Sequence, residues 1–291
     1  MTEYRLFCPA KINLFLEVAA KRPDGYHELA TLFAKLKFGD NMTLRLSPSE
    51  KTEISISLSG PYAAAVTADE DNLVYKAAAR FFNFAGVVAR CEIELEKNIP
   101  TGAGLGGGSS DAGTLLAELC KIYNIDFKKI LPLAAGLGAD VPLFLYKEPV
   151  LRAAGIGDIL TPVSVKNNDF YVVLAFPRVH ISTKEIFKRL TLAPEREILT
   201  SISNLDKIVN ALPIGKTLGY WGRFIFNRLE DFVFPYEKEV RDVKEFMQTR
   251  GYSMMSGSGS TVFSLFESRD EAVKSASELK NKGCGVIITQ L

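Results

Sequence analysis

The sequence predicts an α+β fold divided into two domains. Three observations carry that expectation. The chain has 291 residues and 47% hydrophobic content, more than the commonest single-domain size and enough for full cores. Its first half alternates apolar and polar residues in several separate runs, the period of half-buried strands. Strands and helices then follow one another in mixed order, which argues against a doubly wound parallel sheet.

The first strand signals are Leu32, Ala34, Leu36 and Phe38 around Lys35 and Lys37, then Met42, Leu44 and Leu46. Ile54, Ile56 and Leu58 form another run, and Cys91, Ile93 and Leu95 alternate with glutamates. Each run reads as a strand with one buried face, and the set as mostly antiparallel. Helical spacing spans 73–84 and returns at Leu115, Leu116, Leu119, Ile122 and Tyr123. The polar VKNND at 165–169 precedes an apolar strand at 170–176 and sets a domain boundary near Asn167, giving domains 1–166 and 167–291. Ser182 with Glu185 reads as a capping box for a helix through Leu190. Pro235 reads as the opening of a charged amphipathic helix to about Arg250. Strand, GSGS turn, strand, helix and a last strand at 286–289 complete the chain.

Lys and Arg number 35 against 34 Asp and Glu. That balance supplies no field to draw the chain to nucleic acid or an anionic membrane, and a small-molecule partner fits better. Cys8, Cys91, Cys120 and Cys284 lie far apart with no CxxC pair, so they read as small buried hydrophobes in a reducing compartment. No secretory signal is apparent. The longest apolar run, 131–146, contains Asp140 and two glycines and is shorter than the ~20 residues a bilayer requires. A cytoplasmic location is expected.

Between 102 and 110 stand five glycines and two serines. Glycine inside a helix or strand costs about 1 kcal/mol relative to alanine, so these residues serve backbone access instead. Successive N–H groups without side chains can converge on an anion, and a helix starting near Ser109 adds its unpaired donors and positive dipole end. A phosphate cradle is the expected reading. Gly102, Gly104 and Gly107 also satisfy GxGxxG, with Asp126 where a dinucleotide fingerprint places its acid. Pro100 and Thr101 interrupt the passage from strand to turn, however, and the preceding strands do not suit a parallel βαβ unit. No GxxxxGK[ST] occurs, which excludes a Walker A loop. A plain glycine turn with a serine cap is the remaining alternative.

Among candidate reactive groups, Asp140 is the only acid of the apolar stretch 131–146, where a carboxylate is costly unless paired or functional. Its structural alternative is a helix cap before Val141 and Pro142. Lys11 precedes the apolar run 12–18 and calls for an anion unless it snorkels to water. Tyr26 and His27 follow the turn signal Pro23-Asp24-Gly25 and project from a loop, where an aromatic can stack on a base. Phe187 lies in KEIFKRL, whose apolar residues equally suit a packing face.

PAKINLFLEV at 9–18, IPTGAGLGGGSSDAG at 99–113 and SGSGSTVF at 256–263 resemble the three signature segments of the GHMP small-molecule kinases. RPDGYHEL at 22–29 and GADVPLFL at 138–145 resemble the branch of that family whose acceptor is a cytidine diphosphate-linked methylerythritol. The resemblance implies an N-terminal domain like the second domain of ribosomal protein S5 and a ferredoxin-like C-terminal domain. It implies transfer of a phosphoryl group from ATP to the acceptor's 2-hydroxyl, a step of non-mevalonate isoprenoid synthesis, with Mg2+ expected on the nucleotide and its ligands unknown. ATP is expected on Pro100, Thr101, Gly102, Ala103, Gly104, Leu105, Gly106, Gly107, Gly108, Ser109 and Ser110. Asp140 is implied as general base and Lys11 as its electrostatic partner. Tyr26 and Phe187 are implied to sandwich the cytosine, and His27 and Asn13 to hydrogen-bond the acceptor. Gly257 and Gly259 mark a tight turn expected to touch a ligand or to support the glycine loop. Lys97 and Lys76 are candidates for nucleotide contact, against the ordinary reading of exposed lysines. Three positions depart from the family pattern: Gly113 replaces an alanine, Arg228 in NRLE an aspartate, and Asp158 in GIGDIL a glutamate.

Overall fold

The computed structural model describes residues 1–166 and 169–291; the boundary expected near Asn167 lies outside the described residues. Two compact units emerge, one of residues 1–10, 38–101 and 106–147, the other of 11–37, 102–105 and 148–291. The long strands β1 (Thr2–Lys21) and β2 (His27–Pro48) contribute residues to both. The expected α+β class holds.

In the first unit, β3 (Glu53–Ser59), α1 (Leu73–Ala85) and β4 (Ala89–Glu96) follow β2. The alternation of β4 buries Cys91, Ile93 and Leu95, and Ile93 sits between Leu44 and Ile56 of its neighbours. β2 pairs with β4 antiparallel, but β3 pairs with it parallel. That parallel pair departs from the antiparallel expectation: α1 carries the chain back between the two strands, as a parallel crossover requires. Asn72 starts α1 by accepting the Val74 N–H at 2.9 Å, and Gly86 ends it in the left-handed region at φ +63°. α2 (Gly107–Ile122) begins two residues before the expected Ser109. Val74, Ala78 and Phe81 of α1 and Leu115, Leu116 and Leu119 of α2 form one core with Leu44, Ile93 and Leu95. A short helix, α3 (Leu131–Ala135), and a 3₁₀ turn, Pro142–Leu145, close the unit.

In the second unit, β5 (Val150–Ala154) pairs with the first part of β2 and with β6 (Ile159–Pro162). Next come β7 (Tyr171–Phe176), α4 (Thr183–Arg189), α5 (Glu195–Ala211), α6 (Leu218–Trp221), β8 (Phe226–Asn227) and α7 (Glu230–Val233). The chain ends with α8 (Lys238–Gln248), β9 (Tyr252–Met255), β10 (Val262–Phe266), α9 (Arg269–Asn281) and β11 (Gly285–Gln290). The sheet order β11-β7-β10-β9 is antiparallel throughout, the 4-1-3-2 order of a ferredoxin-like βαββαβ unit. Val173, Ala175 and Val262 of that sheet share a core with Val240 and Met247 of α8 and Ala276 and Leu279 of α9. Ser182 caps α4 as expected, accepting the Glu185 N–H at 3.4 Å. α8 starts three residues after Pro235, so the proline precedes the helix instead of opening it. Among the described residues no helix is long and apolar enough to cross a membrane.

Candidate active site

The glycine loop leaves Pro100 and Thr101 and turns left-handed at every second residue: φ is +69° at Gly102, +78° at Gly104 and +70° at Gly106. Only glycine adopts this conformation at little cost. Alternation of this kind curls a backbone into a concave nest of N–H groups. Within the second unit, three consecutive carbonyls of the loop are held from behind. Ala103 O accepts the Thr261 N–H at 3.3 Å, Gly104 O accepts the Ser256 hydroxyl at 3.0 Å, and Leu105 O accepts the Lys11 N–H at 2.9 Å. In a trans peptide the N–H points opposite to the C=O. The N–H groups of Gly104, Leu105 and Gly106 are therefore turned away from these donors. A Cβ on Gly104 would run into the Ser256 carbonyl and reach 2.9 Å from that of Gly259. In the first unit, Gly107, Gly108, Ser109 and Ser110 form the first turn of α2, whose leading N–H groups have no intrahelical acceptor. The Ser110 hydroxyl is spent on Pro9 O at 2.7 Å.

Lys11 and Asn13 are buried together on β1. The ammonium donates to Asn13 Oδ1 at 3.0 Å and lies 5.4 Å from the centre of the Phe33 ring. Asn13 donates in turn to Thr31 Oγ1 at 2.9 Å, and Thr31 to Phe15 O at 2.6 Å. This chain of bonds fixes the orientation of both candidate residues. Lys11 is 5% exposed, so the snorkelling alternative does not describe it. A Cβ on Gly257 would stand 3.4 Å from Lys11 Nζ and 3.6 Å from Asn13 Oδ1. The 256–261 turn thus lies beside Lys11 and holds the glycine loop at once.

The turn is anchored by NRLE. The Asn227 amide donates to Met255 O and Gly257 O, both at 2.8 Å, and Asn227 Oδ1 accepts the Leu229 N–H at 2.9 Å. Glu230 accepts the Met255 N–H at 2.7 Å, and burial pushes its carboxyl up to about 7. Sequence reasoning missed Asn227, Ser256 and Thr261 as supports, although the SGSGST and NRLE motifs contained them. Arg228 points elsewhere, to Glu17. Asp158 stays local, accepting the Ile156 N–H at 3.1 Å in the β5–β6 turn.

Tyr26, 61% exposed, projects from its loop as expected, whereas His27 is the first residue of β2 and only partly exposed. The His27 ring lies 5.3 Å from that of Phe187, tilted by 34°. Phe187 therefore meets another candidate site residue, besides bordering the second-unit core. Burial and the charge of Lys21 push the His27 pKa down, which favours a neutral imidazole able to donate and accept at neutral pH. His180, which sequence reasoning passed over, places its ring 3.0 Å from where a Cβ of Gly102 would stand.

Asp140 lies in the first unit, directly before the 3₁₀ turn whose cap position is held by Val141, not by Asp140. Gly113 explains itself here. A Cβ there would meet Phe144 Cβ and Val141 O, each at 2.6 Å, so glycine lets α2 lie against the turn that follows Asp140. Lys97 is not an exposed lysine. It is 3% exposed and ion-paired with Asp40 and, at 2.5 Å, Asp111. Lys76 remains at the surface, 3.1 Å from Asp71.

The sequence matches the profile of the GHMP kinases N terminal domain over residues 72–148 and that of the GHMP kinases C terminal over 202–284. A 4-diphosphocytidyl-2-C-methyl-D-erythritol kinase of Desulfotalea psychrophila is 39% identical over 275 residues, spanning 91% of this chain and 86% of that protein. One of Pelodictyon phaeoclathratiforme is 40% identical over 91% of this chain and 89% of its own length. A crystal structure of 4-(cytidine 5'-diphospho)-2C-methyl-D-erythritol kinase superposes with a TM-score of 0.77 at 33% identity, covering 99% of this chain and 98% of that one. A homoserine kinase from Cytophaga hutchinsonii reaches a TM-score of 0.78 at 21% identity, over 99% and 94% of the two chains, and shares the fold. The chain belongs to the GHMP kinases and, within them, to the family of 4-diphosphocytidyl-2-C-methyl-D-erythritol kinases.

Proposed function

We propose that this kinase transfers the γ-phosphoryl group of ATP to the 2-hydroxyl of 4-diphosphocytidyl-2-C-methyl-D-erythritol, a step of non-mevalonate isoprenoid synthesis. The observation that carries the reading is the glycine loop: alternating left-handed glycines run into the open N-terminus of α2, an arrangement suited to a polyphosphate. Residues 100–110 are assigned to ATP. Lys11 is assigned to the charge that develops at the attacking oxygen, Asp140 to the hydroxyl proton, and Asn13, Tyr26, His27 and Phe187 to the acceptor. Among the described residues no group of three or more His, Cys, Asp or Glu side chains converges as a metal site. Mg2+ is expected to accompany ATP and to neutralise phosphate charge, and its protein ligands are unknown. The four cysteines are free thiols, which suits the cytoplasm.

Coupled ADP release with 4-diphosphocytidyl-2-C-methyl-D-erythritol, mevalonate and homoserine as separate acceptors tests the reading. Turnover confined to the first, with a 2-phosphate product by phosphorus NMR, is expected; preference for either small acceptor overturns it. Selectivity yields a further expectation. Tyr26→Ala and Phe187→Ala should each weaken acceptor binding by about 1–3 kcal/mol, the usual size of one base stack, seen as a raised acceptor KM with ATP affinity unchanged. Loss of ATP affinity instead would show that these rings serve the other substrate. Gly104→Ala should lower ATP affinity by roughly 10-fold or more, because left-handed strain of about 1–3 kcal/mol adds to the collision with Ser256. An unchanged ATP titration in the folded variant would remove residues 102–105 from the nucleotide site.

A further inference from the structure

Behind the first turn of α2 lies a buried charge cluster that the reaction does not use. Lys97 Nζ bonds to Asp40 Oδ2 and, at 2.5 Å, to Asp111 Oδ2. Asp40 Oδ1 also accepts the N–H groups of Asn98 and Ile99, at 2.5 and 2.8 Å. All three side chains are at most 3% exposed. Asp111 sits on α2 itself, and Lys97 Nζ is 3.6 Å from where a Cβ of Gly107 would be. The cluster therefore backs the helix end assigned to phosphate.

One lysine cannot neutralise two carboxylates. With both ionised the cluster carries one net negative charge, in surroundings where such a charge is costly. Asp40 has donors on both oxygens, whereas Asp111 Oδ1 is buried without a hydrogen-bond partner. The site left for a proton is therefore Asp111.

We propose that Asp111 is a positioning residue whose proton sets the charge behind the nucleotide's phosphates: MgATP binds tightly when Asp111 is protonated and more weakly when it is ionised. This rests on the assignment of residues 106–110 to ATP. Burial pushes the Asp111 carboxyl up to about 7, with Lys97 opposing the rise and Asp40 adding to it. As pH climbs through that value the cluster passes from neutral to one negative charge, which counteracts the positive end of α2. Lys97 keeps its proton throughout: burial opposes its charge, but Asp111 and Asp40 outweigh burial and raise its pKa. A further titratable neighbour is Cys8 of β1. Burial first, then Asp111, raise its thiol well above the usual value, so it stays neutral as well.

The test is a titration of MgATP into the wild type and Asp111→Asn between pH 6 and 8.5. Ionisation of the nucleotide is common to both, so the ratio of the two Kd values isolates the cluster. The ratio should be near one at pH 6 and rise to roughly 3- to 10-fold weaker binding by the wild type at pH 8.5, the scale of one partly screened charge. A ratio that stays flat overturns the proposal. Should Asp111→Asn not fold, calorimetry of the wild type near pH 7.5 in buffers of different ionisation enthalpy reads the same linkage. Net proton uptake on MgATP binding is expected, and zero uptake overturns the proposal. Absence of saturable MgATP binding to the wild type at any pH would instead sink the nucleotide assignment.

Discussion

Asp140→Asn should lower kcat by roughly 10² to 10⁴, the range for loss of a general base, while ATP affinity and fold persist. The carboxamide keeps the shape of the side chain, and Val141, not Asp140, holds the cap position of the following turn. Lys11→Met should also reduce kcat. In the proposed reaction both residues serve one hydroxyl, so the double variant should lose less than the product of the two single losses. Single-turnover rates with saturating ATP separate chemistry from binding. A folded Asp140→Asn enzyme with near-normal kcat would mean that another group accepts the proton.

The second large effect concerns stability. Glu17 is 0% exposed and receives a bidentate pair from Arg228, at 2.8 and 2.9 Å. Arg228 is further held by Glu197 at 2.7 Å and Asp231 at 3.0 Å, and its N–H bonds Leu16 O at 2.8 Å. Arg228→Met should destabilise the folded chain by about 3–5 kcal/mol, because it strands a buried carboxylate. Glu17→Leu combined with Arg228→Met should recover most of that loss, since removing both partners leaves no uncompensated charge. Urea unfolding of the four proteins completes a double-mutant cycle. Equal stability of Arg228→Met and the wild type would mean that Glu17 finds water or another donor.

Legibility followed the range of the interaction. Local patterns spoke clearly: Cys91, Ile93 and Leu95 alternated in sequence and are buried in β4, and Ser182 caps α4 as its spacing indicated. The two runs around Phe38 and Met42 turned out to be one strand, β2, because Gly39 lies too close to Cys8 for any Cβ and Asp40 turns inward to Lys97. Alternation marks a buried face but not a neighbour, so the parallel pairing of β3 with β4 was invisible. Lys97 read as exposed because its partners stand 57 and 14 residues away, and Arg228 read as a departure because Glu17 is 211 residues distant. Motifs pointed to the backbone of the candidate site. They could not disclose which distant side chains hold it.

The three carbonyl tethers of residues 103–105 join parts of the chain made far apart in synthesis. One tether comes from Lys11, made early, but the others come from Ser256 and Thr261, the former 152 residues beyond its partner Gly104. A chain ending before residue 256 carries the loop's sequence without the two tethers from the 256–261 turn. Contacts of such long range form slowly. The loop's anchorage is therefore complete only once the 256–261 turn has been synthesised.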